Sequence, residues 1–234
     1  MKGNRIAAAA GVATVALAFV ELVGPSFPGT GDSAATIDGF FHAHSTWALT
    51  AVVVETAGNA FWLVFLAGLV ERLRAVGSRL SATAALLGGA LNVAIALVGL
   101  AVLAAIASRG AGHGTPQTTR VLFELASMTL VVSNGFLALT AVAVAAARVT
   151  RVLTVASIVA AAIFAPGAAA YASRGAFAPD GGLQFATYFA ELLWTLVASV
   201  VLWRAQTSWT YAESSASPPS DSAVIAPSSI GAES

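Results

Sequence analysis

The sequence predicts an all-α, polytopic membrane protein, and three features predict it. Of the 234 residues, 58% are apolar and 9% charged, where soluble domains carry about a quarter charged residues. Six stretches are apolar and long enough to cross a bilayer, which takes about 20 residues at roughly 1.5 Å each. The basic residues collect on one set of connections between those stretches, as they do on the cytoplasmic side of membrane proteins. No stretch shows the alternation, about ten residues long, of an outer-membrane barrel strand.

The spans run over 6–24, 46–70, 81–107, 121–147, 152–172 and 183–204. The first has a rival reading as a cleavable leader ending at Ala16-Leu17-Ala18. Against it, the apolar run continues through Phe19 and Val20 to Val23. With the N-terminus inside, Lys2, Arg5, Arg72, Arg74, Arg79, Arg148, Arg151 and Arg204 are cytoplasmic, and only Arg109, Arg120 and Arg174 lie outside. Both termini are then cytoplasmic, and the outer loops cover 25–45, 108–120 and 173–182. The inner connections, "ERLRAVGSRLS" and "ARVTR", are short, so helices 2 and 3, and 4 and 5, are expected as antiparallel neighbours. Pro166 lacks an N–H for the Ala162 carbonyl and is expected to kink helix 5, as a bend or hinge. From Thr207 onward the Ser/Pro/Ala-rich composition cannot build a core, and 207–234 reads as a disordered tail.

The informative residues are the polar ones inside the spans. Glu55, Asn59, Asn92, Asn134 and Glu191 lie deep, with no Lys, Arg or His at comparable depth. A charge at mid-membrane costs about 2.5–3.5 kcal/mol. A bound proton, a water-filled cavity or a held cation can compensate it. Helical spacing favours a shared polar lining. Glu55 and Asn59 are four apart, and Trp62 and Leu66 continue their face as an inner gate. Tyr188, Glu191, Thr195 and Ser199 form one stripe on helix 6, and Glu124, Ser127, Val131 and Asn134 another on helix 4. On helix 1 Ala7, Gly11, Thr14, Ala18 and Glu21 form a small-to-polar stripe. An outward-facing polar pocket closed by an apolar inner plug is therefore expected, with Glu21, Glu124, Asp38, His42 and His44 at its outer rim. The competing reading makes Asn92 and Asn134 packing glue and pairs Glu124 with Arg120, four residues earlier.

Helices 2, 4 and 6 share a weak pattern. A mid-span polar residue (Asn59, Asn134, Glu191) is followed 13 or 14 residues later by Arg. This is the spacing expected of three parallel helical hairpins framing a central site. In the outer segment, "SAATIDGFFHAH" reads as a short surface helix, with Phe40 and Phe41 dipping into lipid or capping the pocket. His42, His44 and His113 are too sparse a set for a metal site and fit a solvated loop or pH-sensitive lid.

The outer "GDSAAT" segment, the second span ending in "LVERLR" and the turn "AARVTRVL" are similar to those of a large bacterial, actinobacterial-type family of six-helix membrane proteins of unknown function. The resemblance covers residues 5–205 and implies a six-helix bundle without implying an activity. Several classes are excluded or disfavoured by what is missing. There is no cysteine, so no disulfide, thiolate metal site or cysteine nucleophile. No Gly-x-Ser-x-Gly, His-Glu-x-x-His or Walker motif is present, so neither an enzyme nor a cofactor is expected. Net charge is zero, which speaks against a nucleic-acid partner. Arg supplies all basic residues but Lys2, and Ala and Val are abundant, as in a GC-rich bacterial genome; a bacterial cytoplasmic (inner) membrane is expected. The functional expectation is binding or proton-linked movement of a small cation or neutral solute, with lipids as surroundings. The alternative is an accessory or sensor subunit that docks a membrane partner or a second copy of itself.

Overall fold

A computed structural model describes residues 2–109, 114–170 and 175–215. The side chains of Lys2, Glu21, Arg109 and 206–215 lie outside that description, as do His113, Arg174 and the tail from 216 to 234. The described residues form six α-helices and no strand: α1 Lys2–Glu21, α2 Ala34–Ala75, α3 Arg79–Arg109, α4 Pro116–Ala147, α5 Arg151–Gly167 and α6 Gly182–Ser215. All but α5 are long and apolar enough to cross a membrane. Large apolar side chains are exposed on every helix, including Val53, Leu87, Val98, Val142, Ile158 and Leu193. Such a continuous apolar exterior suits lipid and not water.

Local chemistry fixes the helix ends. Ser33 Oγ accepts from the Thr36 N–H at 3.1 Å and starts α2. Thr115 caps α4, with Pro116 following in the first turn. Thr150 caps α5 through the Leu153 N–H at 3.2 Å. Each supplies an acceptor to a helix-start N–H that has no partner inside the helix. Arg148 ends α4 in a left-handed conformation, φ 50°.

Three expectations are corrected. The outer loop expected over 25–45 is shorter, because the Ser33 cap lets α2 begin at Ala34. The resulting helix has 42 residues, about 63 Å at 1.5 Å per residue, broken only by non-helical backbone at His44. The fifth span, expected to 172, instead ends at Gly167 after 17 residues. Pro166 does not kink a continuing helix. Beyond it the Ala169 and Ala170 N–H groups turn back to the Pro166 and Gly167 carbonyls, three residues earlier, and the helix stops. At about 25 Å, α5 falls short of a hydrocarbon core of about 30 Å. Third, α6 continues to Ser215, past the compositional change at Thr207.

The helices close into a ring. Each packs on its neighbour in chain order, and α6 returns to α1. The pairs α2–α3 and α4–α5 are joined by the short connections 76–78 and 148–150 and are antiparallel neighbours. α2 leans inward and also touches α4 and α6, so its inner face meets most of the bundle. Small residues permit the closest approaches. A Cβ on Gly88 would come within 2.8 Å of the Phe136 carbonyl oxygen and 3.1 Å of the Thr140 nitrogen on α4. These are backbone atoms, which cannot step aside.

Two apolar clusters divide the bundle along its length. One fills the end bearing the 76–78 and 148–150 connections and contains Trp62, Phe65, Leu69, Leu137, Trp194 and Leu202. The other lies near the 22–33 connection and contains Ile37, Phe41, Leu100, Leu103 and Phe123. The second cluster corrects the expectation for Phe41. It is fully buried and packs edge-on against Phe123 at 5.9 Å, because the protein offers it a complete apolar socket. Phe40 is half-buried beside Phe27 and His44.

Three outcomes follow. Gly88→Ala should destabilise the bundle by about 1–3 kcal/mol through overpacking, read as a lower thermal midpoint in detergent. Gly39→Ala, where a Cβ meets nothing, should raise stability by up to about 1 kcal/mol through helix propensity. Because the chain lacks cysteine, single cysteines report sidedness. In intact cells a membrane-impermeant thiol reagent should label Ser26→Cys and spare Ser78→Cys; the reverse pattern would invert the topology.

Candidate functional site

Between the two apolar clusters the bundle is polar. Glu55 and Asn59 come from α2, Asn92 from α3, Ser133 and Asn134 from α4, and Tyr188 and Glu191 from α6, and all line one chamber of about 260 Å³. Every deep polar residue singled out by spacing thus reaches the same space. Glu55 projects there because α2 is the inward-leaning helix, and Glu191 because it follows Tyr188 by three on the same face of α6.

The two carboxylates have no hydrogen-bond or ion-pair partner among the described residues, whose ion pairs are Arg74–Glu71 and Arg120–Glu124. No basic residue lines the chamber. The amides are held differently. Asn59 Nδ2 donates to the Glu55 carbonyl at 3.0 Å, and Asn134 Nδ2 donates to Gln184 Oε1 at 2.9 Å. The Tyr188 hydroxyl donates to the Ala18 carbonyl at 3.2 Å, tying α6 to α1. Thr14 Oγ1 bridges α1 to the Gly58 carbonyl of α2 at 3.2 Å.

Trp62 forms part of the lining, and it is buried together with Leu66. Both side chains press against Gly89 of α3, where a Cβ would overlap them. Beneath them Phe65 meets the Trp194 ring edge-on at 6.2 Å, and Trp194 Nε1 is anchored to Ser157 Oγ at 2.9 Å. The chamber floor is therefore aromatic, then aliphatic. Thr195 and Ser199, which continue the Glu191 stripe, are buried in this layer.

In the other direction the chamber adjoins a wider vestibule of about 510 Å³, with which it shares Glu55, Leu130, Gln184 and Tyr188. The vestibule is roofed by the 24–29 segment and walled by Leu103, Phe123 and Phe185. The roof is tied in place. Trp47 Nε1 donates to the Pro25 carbonyl at 3.1 Å, and Thr30 Oγ1 donates to Asp180 Oδ1 at 3.1 Å. Gly24 is required there, since any side chain would collide with the Trp47 ring.

The expected rim is only partly brought to this mouth. Glu124 is engaged by Arg120, Nε to Oε1 at 2.7 Å, and lines neither cavity. Asp38 instead accepts from Thr119 Oγ1 at 2.7 Å and joins α2 to α4. His42 and His44 sit on exposed helix, with the His44 ring against Phe40 at 5.1 Å. No group of three His, Asp or Glu side chains comes together among the described residues. The Glu21 side chain lies outside them. These residues belong to α2 and α4, whose helical faces turn them away from the opening. Spacing placed Thr14 on the helix 1 stripe that reaches the chamber, but missed Gln184 and Ser133. Gln184 had a signal, since it precedes Tyr188 by four and Glu191 by seven, but it lies near the start of the span and reads there as loop.

No protein-family model, curated protein or solved structure matches the chain. The site therefore rests on its own chemistry. That chemistry is a cavity with acidic and amide walls, no positive charge, one end opening under a polar roof and the other sealed by rings.

The seal is checked by small hydrophilic thiol reagents on purified protein. Asn59→Cys should react through the vestibule, while Leu66→Cys should stay at least about tenfold slower, since a rate ratio of ten corresponds to about 1.4 kcal/mol of occlusion. Equal rates at the two positions would mean the floor is open.

Proposed function

We propose that the chain is a multi-pass protein of a bacterial cytoplasmic membrane, with both termini cytoplasmic, of the six-helix family it resembles. In this reading it binds and moves a small cation or neutral solute, with proton linkage, and carries out no covalent chemistry. The observation that carries the reading is the meeting of Glu55 and Glu191 in one chamber without a positive partner. Two carboxylates in an apolar bundle need a counter-charge. A proton and a solute cation are interchangeable in that role, and their exchange is what couples a proton to transport. The vestibule offers access from one side, and Trp62 and Leu66 close the other, as a gated carrier requires.

Proton linkage fixes the sign of the pH response. Protons compete with the cation for the same two groups, so cation affinity falls as pH falls. In proteoliposomes, uptake of labelled rubidium or methylammonium should drop on acidification, and uptake of glycerol should not. Glu55→Gln and Glu191→Gln should each reduce cation uptake to the protein-free background. Wild-type uptake in both variants would remove the two carboxylates from the mechanism.

A further inference from the structure

The distribution of donors and acceptors in the chamber is uneven. One N–H each of Asn59 and Asn134 and the O–H of Tyr188 are turned onto protein acceptors, Glu55 O, Gln184 Oε1 and Ala18 O. The four carboxylate oxygens have no partner among the described residues. An independent feature points the same way. Asn92 is only 6% exposed, lines the chamber from α3 and has no hydrogen-bond partner among the described residues. Its amide therefore faces the chamber without a protein partner and is available to a bound guest. A guest that supplies hydrogen-bond donors and positive charge together matches the two carboxylates.

Size and wall chemistry narrow the class further. The chamber measures about 260 Å³, whereas a cavity of about 150 Å³ holds a benzene-sized molecule. A bare metal ion bound at about 2–2.6 Å would leave most of the space unfilled, and no third His, Asp or Glu stands near the two acids among the described residues. The Trp62 ring at the floor can face a cation. The vestibule beyond is apolar along Leu103, Phe123 and Phe185. Its charged lining residues, Glu55 and Asp180, are acidic, so anions are repelled from the whole route.

We infer that the chamber binds a primary ammonium ion carrying a compact apolar group. The ammonium sits between Glu55 and Glu191, with its third N–H available to the Asn92 oxygen, and the apolar group lies toward the vestibule. The inference rests on the proposed cation site and specifies its guest. An inorganic ion or an uncharged solute is the competing guest.

The test is calorimetric titration of the purified full chain in lipid nanodiscs with benzylammonium chloride, with empty nanodiscs as the blank. Saturable binding is expected, at least tenfold tighter than that of benzyl alcohol, which has the same shape without the charge. It should be lost in Glu55→Gln and Glu191→Gln and weakened about tenfold in Asn92→Leu. A second readout avoids the acid variants altogether: benzylammonium should slow thiol labelling of Asn59→Cys in an otherwise unaltered chain, and sodium chloride at equal strength should not. If sodium or magnesium chloride binds in a carboxylate-dependent way and benzylammonium does not, the organic guest is overturned and the cation site stands. Equal affinity for benzyl alcohol overturns charge recognition. If no cation binds or protects, the inference and the proposed function fall together.

Discussion

The structure turns on the cost of holding acidic groups where there is little water. Glu55 and Glu191 have no arginine partner among the described residues, and the helices around them are apolar above and below. Everything near the two acids accommodates that cost. α2 leans into the bundle so that Glu55 reaches a cavity instead of lipid. Asparagines from three different helices share the polar layer, and the layer opens toward a vestibule. If the acids were leucines, these features would be packing defects. With the acids present, they form a coherent compartment.

The architecture supplies the complementary half. A ring of helices normally fills its own centre, and this one does so at both ends with aromatic and aliphatic side chains. The gap lies only at the level of the carboxylates. Cross-links between helices that are distant in sequence keep it from collapsing. Tyr188 is tied to α1, Thr14 to α2 and Asn134 to the start of α6. Each such bond is modest, about 0.6 kcal/mol between membrane helices. Together they hold the chamber walls in register.

Much of this was legible in the sequence because the relevant signal is periodic. Hydropathy located the helices, and four- and seven-residue offsets put Glu55, Asn59 and Trp62 on one face and Tyr188 and Glu191 on another. What spacing could not supply was which faces meet. Glu124 obeys the same periodicity as Asn134, yet Arg120 takes it at the surface, a choice made by a neighbour one turn away. Asp38, His42 and His44 fall in the segment read as a short surface helix in an outer loop; what spacing did not show is that this helix, started by the Ser33 cap, runs on into the second span. Pro166 marked a change in α5, but whether a proline bends or ends a helix depends on the turns that follow it. The Asn134–Gln184 bond and the Thr30–Asp180 tie join segments 50 and 150 residues apart, which no local pattern encodes.

One feature of α2 has a mechanical consequence. A single rod carries the Phe41 socket near the entrance, the Glu55 carboxylate midway and the Trp62–Leu66 seal below. Below the irregular joint at His44 the rod is unbroken helix, so it resists bending and turns as one body. Occupancy at the carboxylate and the seating of Trp62 and Leu66 are consequently not independent variables. A rotation that re-aims the acid would swing Trp62 and Leu66 off Gly89, and the joint at His44 would let the entrance segment stay docked.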